Sequence, residues 1–430
     1  MGIIYNIIFI IFSFFYIPVF LIKKKKRHGI GLRFGIYPED LISKLRERKN
    51  IWIHAVSVGE TMAVSSLITK LRSRFPGYRL VITTVTETGN SVARKLAAED
   101  DIVLFLPFDV TFIIRKAMRY IRPSLLIIVE TELWPNLIRE ASRNQVATIL
   151  INGRISEGSF KGYACVRFMI APVLRGIDLL LMQTDVDRDR IIFLGADESR
   201  VKISGNLKFD SISSAGLSEQ KKKELNSLLN IKEGEELLVA GSTHAGEEEA
   251  VIKAFKNLKD QFDSLRLLIA PRHIERIPDI EKLIENYGCK PVRISKLSTS
   301  TICDMRNAKY EIFILDTIGQ LKDFYSIAKV VFVGGSLVKK GGQNFIEPAL
   351  FSKPIVFGPY TFNFRDITEM FLKNEAALMA NDGLSLKKAL ERLLLNPGLC
   401  KDMGERAKNI VEANKGATDI TLGAIEGMLK

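Results

Sequence analysis

Several common sources of chemistry are missing from this 430-residue sequence. Its four cysteines (Cys165, Cys289, Cys303 and Cys400) form no C-x-x-C pair, which argues against a disulfide framework and fits a reduced compartment. Its four histidines form no H-E-x-x-H and no other metal-ligand spacing, so no protein-held metal is expected. No G-x-G-x-x-G follows an early strand, which disfavours a dinucleotide cofactor, and no cofactor of any kind is called for. The stretch GSTHAGEEE (241–249) has the glycine spacing of a phosphate loop but carries Glu247 where that loop needs Lys, so an ATPase is excluded.

Charge is absent from one place and concentrated in the next. The first 22 residues, MGIIYNIIFIIFSFFYIPVFLI, are uncharged, and KKKKRH follows at once. At about 1.5 Å per residue, roughly 20 apolar residues span a hydrocarbon core. A cleaved signal peptide carries its charge before the apolar run and small residues after it, the reverse of what stands here. Residues 1–22 therefore read as a membrane anchor, either a transmembrane helix or, given Asn6 and Pro18, a shallower interfacial one. The positive-inside rule puts everything after Lys23 in the cytoplasm, with Lys23 to Arg27 against anionic head groups. Residues 1–50 hold ten Lys/Arg and three Asp/Glu, a net of +7 out of +13 for the whole chain. The remainder is only mildly basic, which speaks against a nucleic-acid partner.

From residue 50 onward, short apolar runs alternate with helix-length segments, as in parallel sheets covered on both faces. The runs are IWIHAV, RLVITT, DIVLFLP, LLIIVE, VATILI, LLLMQT and VKISG. After a Ser- and Lys-rich pause at 211–230 come ELLVAGS, LRLLIAP, PVRIS, EIFILD, VVFVGG and PIVFG. The pattern predicts two doubly wound α/β domains of similar size facing a cleft, over 51–210 and 211–430, behind a basic juxtamembrane segment at 23–50. In such sheets ligands bind past the carboxyl ends of the strands.

Those strand ends carry the candidate chemistry. HAVSVGE ends in Glu60 at a helix start, where a carboxylate is ordinarily favourable electrostatics and little more. VETELWPN offers Glu130 and Glu132, expected on opposite sides of the chain, which would leave at most one for a given ligand. SGNLKFD supplies Lys208, and TETGN and INGRIS are further polar turns. In the second half, APRH places Arg272 after Pro271 at a strand end, suited to a phosphate through its planar fork. VGGSLVKKGGQNFIEPAL has two Gly pairs that permit close backbone approach to a ligand. Its N-x-x-E, Asn344 to Glu347, either receives nucleotide hydroxyls or caps a helix.

Taken together and in order, HAVSVGE, ETELWPN, SGNLKFD, STHAGEEE, PRH and GGSLVKKGGQNFIEP resemble the 3-deoxy-D-manno-octulosonic acid (Kdo) transferases of lipopolysaccharide assembly, over almost the whole chain. The resemblance implies a GT-B fold of two Rossmann-like domains, the first for the acceptor and the second for the CMP-sugar. It implies an inverting glycosyltransferase that moves Kdo from CMP-Kdo to a lipid A precursor at the cytoplasmic side of the bacterial inner membrane. By the family's pattern Glu60 is the general base, and Glu130 and Lys208 stabilise the transition state. CMP contacts fall on Pro271 and Arg272, on Ile318, Gly319 and Gln320, and on Asn344, Phe345, Ile346 and Glu347. The family's element reads M-G-E where this chain has Ile318-Gly319-Gln320, so a contact through the carboxylate would be lost and one through the backbone kept. Two other readings stand beside this one: a GT-B enzyme using another nucleotide sugar such as a UDP-sugar, and a membrane-tethered nucleotide-binding scaffold without catalysis.

Overall fold

The computed structural model describes residues 29–211, 217–297 and 310–429. The expected anchor at 1–22 lies outside them, and no helix among the described residues is long and apolar enough to cross a membrane. The chain divides into two compact units, Met1–Ile212 with Asn414–Lys430, and Ser213–Ala413.

The first unit is built on seven parallel strands: β1 (Lys49–His54), β2 (Tyr78–Thr84), β3 (Ile102–Phe105), β4 (Pro123–Val129), β5 (Ala147–Gly153), β6 (Leu179–Met182) and β7 (Val201–Ile203). They are ordered β3-β2-β1-β4-β5-β6-β7. Because both faces are covered, the strands read as continuous apolar runs. Alternation along β1 and β4 sends Trp52, Leu126 and Ile128 into the core on one face, and Ile51, Ile53, Leu125 and Ile127 into that on the other.

Two domain boundaries differ from expectation. Residues 29–50 are not a detached juxtamembrane segment, because the helix Glu39–Arg46 buries Ile42 and Leu45 in the first unit's core. At the other end, the helix Ala417–Leu429 belongs to the first unit rather than the second. It buries Ala417 and Ile425 beside Ile53 and pairs Asp419 with Lys70 and Glu426 with Arg74. Its start is held by Asp210, whose carboxylate accepts from the N–H of Gly416 (2.9 Å) and Thr418 (2.6 Å). The acid of L-K-F-D is thus a cap for the returning helix.

The second unit repeats the plan with β8 (Glu236–Thr243), β9 (Leu265–Pro271), β10 (Pro291–Arg293), β11 (Ile312–Ile314), β12 (Val330–Val333), β13 (Ile355–Phe357) and β14 (Ala377–Met379), all parallel, in the order β10-β11-β9-β8-β12-β13-β14. Each of the thirteen apolar runs lies on one of these fourteen strands. The missing one, β14, is short and has no β-branched residue to announce it.

Candidate active site

In the first unit the residues past β1 make a tight, cross-braced turn. Ser57 caps the helix Val58–Ala63, and its hydroxyl donates to Glu60 Oε1 (2.7 Å) while Glu60 Oε2 accepts from the Val56 N–H (2.7 Å). This is close to a capping box, with the helix's third residue reaching back to the entering backbone. The turn is clamped from the next helix, Glu87–Leu96, where Gly89 packs so closely that a Cβ would lie 3.2 Å from the Ser57 carbonyl carbon. The TETGN turn therefore serves to let that helix approach. Glu60 is 6% exposed, and burial raises its pKa, against hydrogen bonds from Ser57 and Val56 that lower it; Glu130 nearby raises it further. A helix-start carboxylate was expected to be a weak base, and burial reverses that.

The expected separation of Glu130 and Glu132 does not hold. Residues two apart share a face of a strand, so alternation would not have separated them; β4 in any case ends at Val129, and Glu130 adopts a left-handed conformation (φ 59°). Glu60, Glu130 and Glu132 come close together, so that the charge of Glu130 acts on Glu60 and the charges of both act on Glu132. Glu132 is pushed up to about 7, by burial first and then by the charges of Glu60 and Glu130. Tyr163, on the helix Glu157–Cys165, is raised by burial and by Glu132. The loop is tied down through Thr131, whose Oγ1 accepts from the Arg154 N–H (3.0 Å). The neighbouring Asn152 (φ 55°) accepts at Oδ1 from the Leu207 N–H (3.0 Å), which carries the 3-10 turn Leu207–Phe209, and with it Lys208, to this edge of the sheet. That turn packs on the helix bearing Glu60. His54 is buried and its pKa falls to about 4 through burial, so it is a neutral strand residue beside Trp134.

The corresponding edge of the second unit is cationic. Glu247, fully buried, accepts four backbone N–H bonds, from His244 (2.9 Å), Gly335 (2.7 Å), Ser336 (2.9 Å) and Leu337 (2.8 Å). Gly334 makes this possible, because a Cβ there would fall 2.6 Å from the Ser242 carbonyl oxygen. The N–H groups expected to receive a ligand after β12 are thus already occupied from within the protein. Glu248 is equally structural, held by Thr243 (3.0 Å) and Arg276 (2.8 Å).

Around this scaffold the polar groups face outward. Arg272 is exposed after Pro271, with its N–H on the Thr243 carbonyl (2.9 Å). His244 stacks edge-on with His273 (5.5 Å between centroids) and lies 3.3 Å from Gln343 Nε2. Its pKa is lowered by burial and then by the charges of His273 and Lys340, with Arg272 adding to them and Glu248 opposing. Asn344 donates to Glu347 Oε1 (3.2 Å) and accepts the Ile346 N–H (3.0 Å), the first of the short helix Ile346–Leu350, whose N-cap Phe345 has no side-chain cap; burial raises the Glu347 pKa. Phe345 and Ile346 are core residues, Phe345 packing on Phe357 and Phe364, which leaves only their backbone for a ligand. Ile318 is exposed, Gly319 has φ 94°, and the Gln320 side-chain oxygen accepts from Thr317 Oγ1. Sequence reasoning weighed Glu132 without giving it a role, and passed over His244, Lys340 and Gln343. The available signal was His244 inside GSTHAGEEE, the stretch with phosphate-loop glycine spacing.

Residues 28–211 match the family model described as 3-deoxy-D-manno-octulosonic-acid transferase (kdotransferase). The Rickettsia felis 3-deoxy-D-manno-octulosonic acid transferase is 34% identical over 384 residues, 89% of this chain and 80% of that one. The chain belongs to this family of Kdo transferases. It is therefore a glycosyltransferase. Another family relative, a bifunctional glycosyltransferase/methyltransferase of Fusobacterium nucleatum, is 37% identical over 82% of this chain, which spans only 53% of that longer protein. The fold is shared with a glycosyltransferase from Rickettsia africae, at a TM-score of 0.58 and 14% identity over 89% of this chain and 99% of that one.

Proposed function

We propose that this chain transfers Kdo from CMP-Kdo to a lipid A precursor such as lipid IVA, with inversion and release of CMP. The observation that carries the reading is the carboxylate edge of the first unit, built on the family's own motifs. The acceptor hydroxyl gives its proton to Glu60 as its oxygen bonds to the anomeric carbon. The bond from that carbon to the CMP phosphate breaks, and its electron pair leaves with CMP. Removing such a proton is typically worth about 10²–10⁴-fold. Burial makes Glu60 more basic, and its two hydrogen bonds fix its direction. Glu132, with a pKa of about 7, keeps a share of protons at neutral pH and so limits the charge crowded around Glu60. Glu130 and Lys208 stabilise the transition state, and Lys208 neutralises the donor's own carboxylate.

In the second unit, Arg272 and the cations around His244 suit the departing phosphate. Asn344 and Glu347 suit nucleotide hydroxyls, while Pro271, Ile318, Gly319, Gln320 and the backbone of Phe345 and Ile346 complete the CMP contacts. The protein acts at the cytoplasmic face of the inner membrane, held there by residues 1–22 and the basic cluster after them. Tethering an enzyme to the surface that holds its acceptor raises their effective concentration. The exposed Phe34 and Ile36 of RFGIY form part of the surface for the acceptor's acyl chains and phosphates.

Mass spectrometry of the product from CMP-Kdo and a defined tetra-acylated acceptor tests this. The expected result is addition of Kdo, abolished in Glu60→Gln. No transfer by the unmodified protein overturns the reading. Thermal protection by UDP but not CMP points instead to another nucleotide sugar.

A further inference from the structure

We propose that an arginine-lined pocket at the amino-terminal edge of the first unit's sheet binds a multiply charged phosphate ester. The pocket encloses about 640 Å³ between the helices Thr111–Ile121 and Pro135–Arg143. Four arginines line it, Arg115, Arg119, Arg122 and Arg143, against one acidic residue, Glu140. That carboxylate is 2% exposed and already saturated. Arg143 donates to its Oε1 (2.7 Å), and Arg115 reaches both oxygens (3.3 and 3.4 Å). Arg119 and Arg122 are exposed, and neither has an ion pair or side-chain hydrogen bond with another described residue. Three positive charges are therefore left uncompensated in one concave volume.

Basic residues at helix ends have an ordinary explanation, since they favour the negative end of the helix dipole. That accounts for Arg119 and Arg143 one at a time. It does not account for their convergence with Arg122, which lies beyond its helix in a left-handed conformation (φ 46°, ψ 56°) that glycine or asparagine would adopt more easily. Arginine forks match phosphate oxygens two at a time. The pocket exceeds the size of inorganic phosphate, and Met118, Pro123 and Val146 give it an apolar wall for the organic part of an ester.

The site is separate from the carboxylate edge. Pro123 begins β4 and Val146 precedes β5, whereas Glu130 follows the far end of β4, about 20 Å away along a seven-residue strand. The described chain enters this unit at Gly29, beside Phe105 at the carboxyl end of β3. On the reading proposed above, in which residues 1–22 hold the chain to a membrane, Gly29 is the point of attachment, which favours a soluble phosphate ester over a lipid head group at the opposite edge.

Calorimetric titration of the full chain in detergent decides the matter, with pyrophosphate and dihexanoyl phosphatidic acid as probes. Arg119→Ala combined with Arg122→Gly is the test variant, since glycine relieves the left-handed backbone and the fold should be kept. Lys401→Ala with Lys408→Ala, on the second unit, is the control. Saturable pyrophosphate binding that weakens at least tenfold in the test variant alone supports a soluble ester. The same loss for phosphatidic acid, with pyrophosphate not bound, assigns the pocket to a lipid phosphate. Equal affinities in the variant and the parent, or no saturable binding of either probe, overturn the site.

Discussion

At the carboxyl edge of the first unit three glutamates crowd together, while at the same edge of the second a buried histidine is ringed by Arg272, His273 and Lys340. Both edges stand on parallel seven-stranded sheets, and in both a strand turns into a helix beside a glutamate. What differs is how that glutamate is satisfied. Glu60 accepts one backbone N–H and one hydroxyl and keeps company with two other carboxylates. Glu247 accepts four backbone N–H groups and is sealed in. Position on a fold therefore does not decide whether a helix-start carboxylate is chemistry or scaffold. The number of backbone donors aimed at it does.

The largest test of this contrast is Glu60→Gln. If Glu60 takes the acceptor's proton, kcat for Kdo transfer falls about 10²–10⁴-fold, while KM for CMP-Kdo stays within a few-fold. A loss below tenfold would move the base elsewhere in the cluster, with Glu132 first in line.

Glu247→Gln should act on stability instead. Each carboxylate oxygen now takes two N–H donors, and an amide would turn an NH₂ group toward one of those pairs. Leaving buried donors unsatisfied costs roughly 1–3 kcal/mol each, so the pair predicts a loss of about 2–6 kcal/mol in chemical unfolding. If the variant is as stable as the parent and binds CMP more tightly, the nest after β12 belongs to the ligand and the contrast fails.

Much of this was legible beforehand, for identifiable reasons. Continuous apolar runs fixed where the thirteen strands lie, because strands buried on both faces cannot afford polar residues. The opposite placement of Glu130 and Glu132 was misjudged because residues two apart lie on the same face of a strand; the left-handed φ at Glu130 then ends the strand before either of them. Nothing local in sequence reports that a residue other than Gly or Asn will turn left-handed. The occupation of the Gly335–Leu337 N–H groups by Glu247 links positions about 90 apart, which no window of sequence could join. The return of the last helix to the first unit rests on Asp210, some 206 residues away, for the same reason.

Glu132→Gln probes the crowding through pH. Its folded pKa of about 7 lies above the unfolded value of 4.5. The folded state therefore holds a proton that the unfolded state has lost, and ionising Glu132 as pH rises through 7 weakens the fold. Replacing it with the neutral amide should leave stability unchanged at pH 4 and raise it at pH 8, by at most about 2–3 kcal/mol. Melting temperatures at the two pH values check the sign. An equal effect at both would mean that packing, and not charge, sets the change.

The smallest effect is expected at Gln320, where the resemblance to Kdo transferases implies a glutamate. Its side-chain oxygen accepts from Thr317 Oγ1, as a carboxylate oxygen could. Gly319 beside it has φ 94°, open to glycine and strained for other residues, which points to a turn whose shape matters more than its side chains. Under that reading the contact to CMP runs through the backbone, and Gln320→Glu changes the affinity for CMP by no more than about threefold, well under the 1.4 kcal/mol that marks a tenfold change. A negative charge added beside a bound phosphate would, if anything, weaken that ligand slightly. A tenfold gain in CMP binding would contradict this. It would make the missing carboxylate a true ligand and show that this chain holds its nucleotide more weakly than its relatives do.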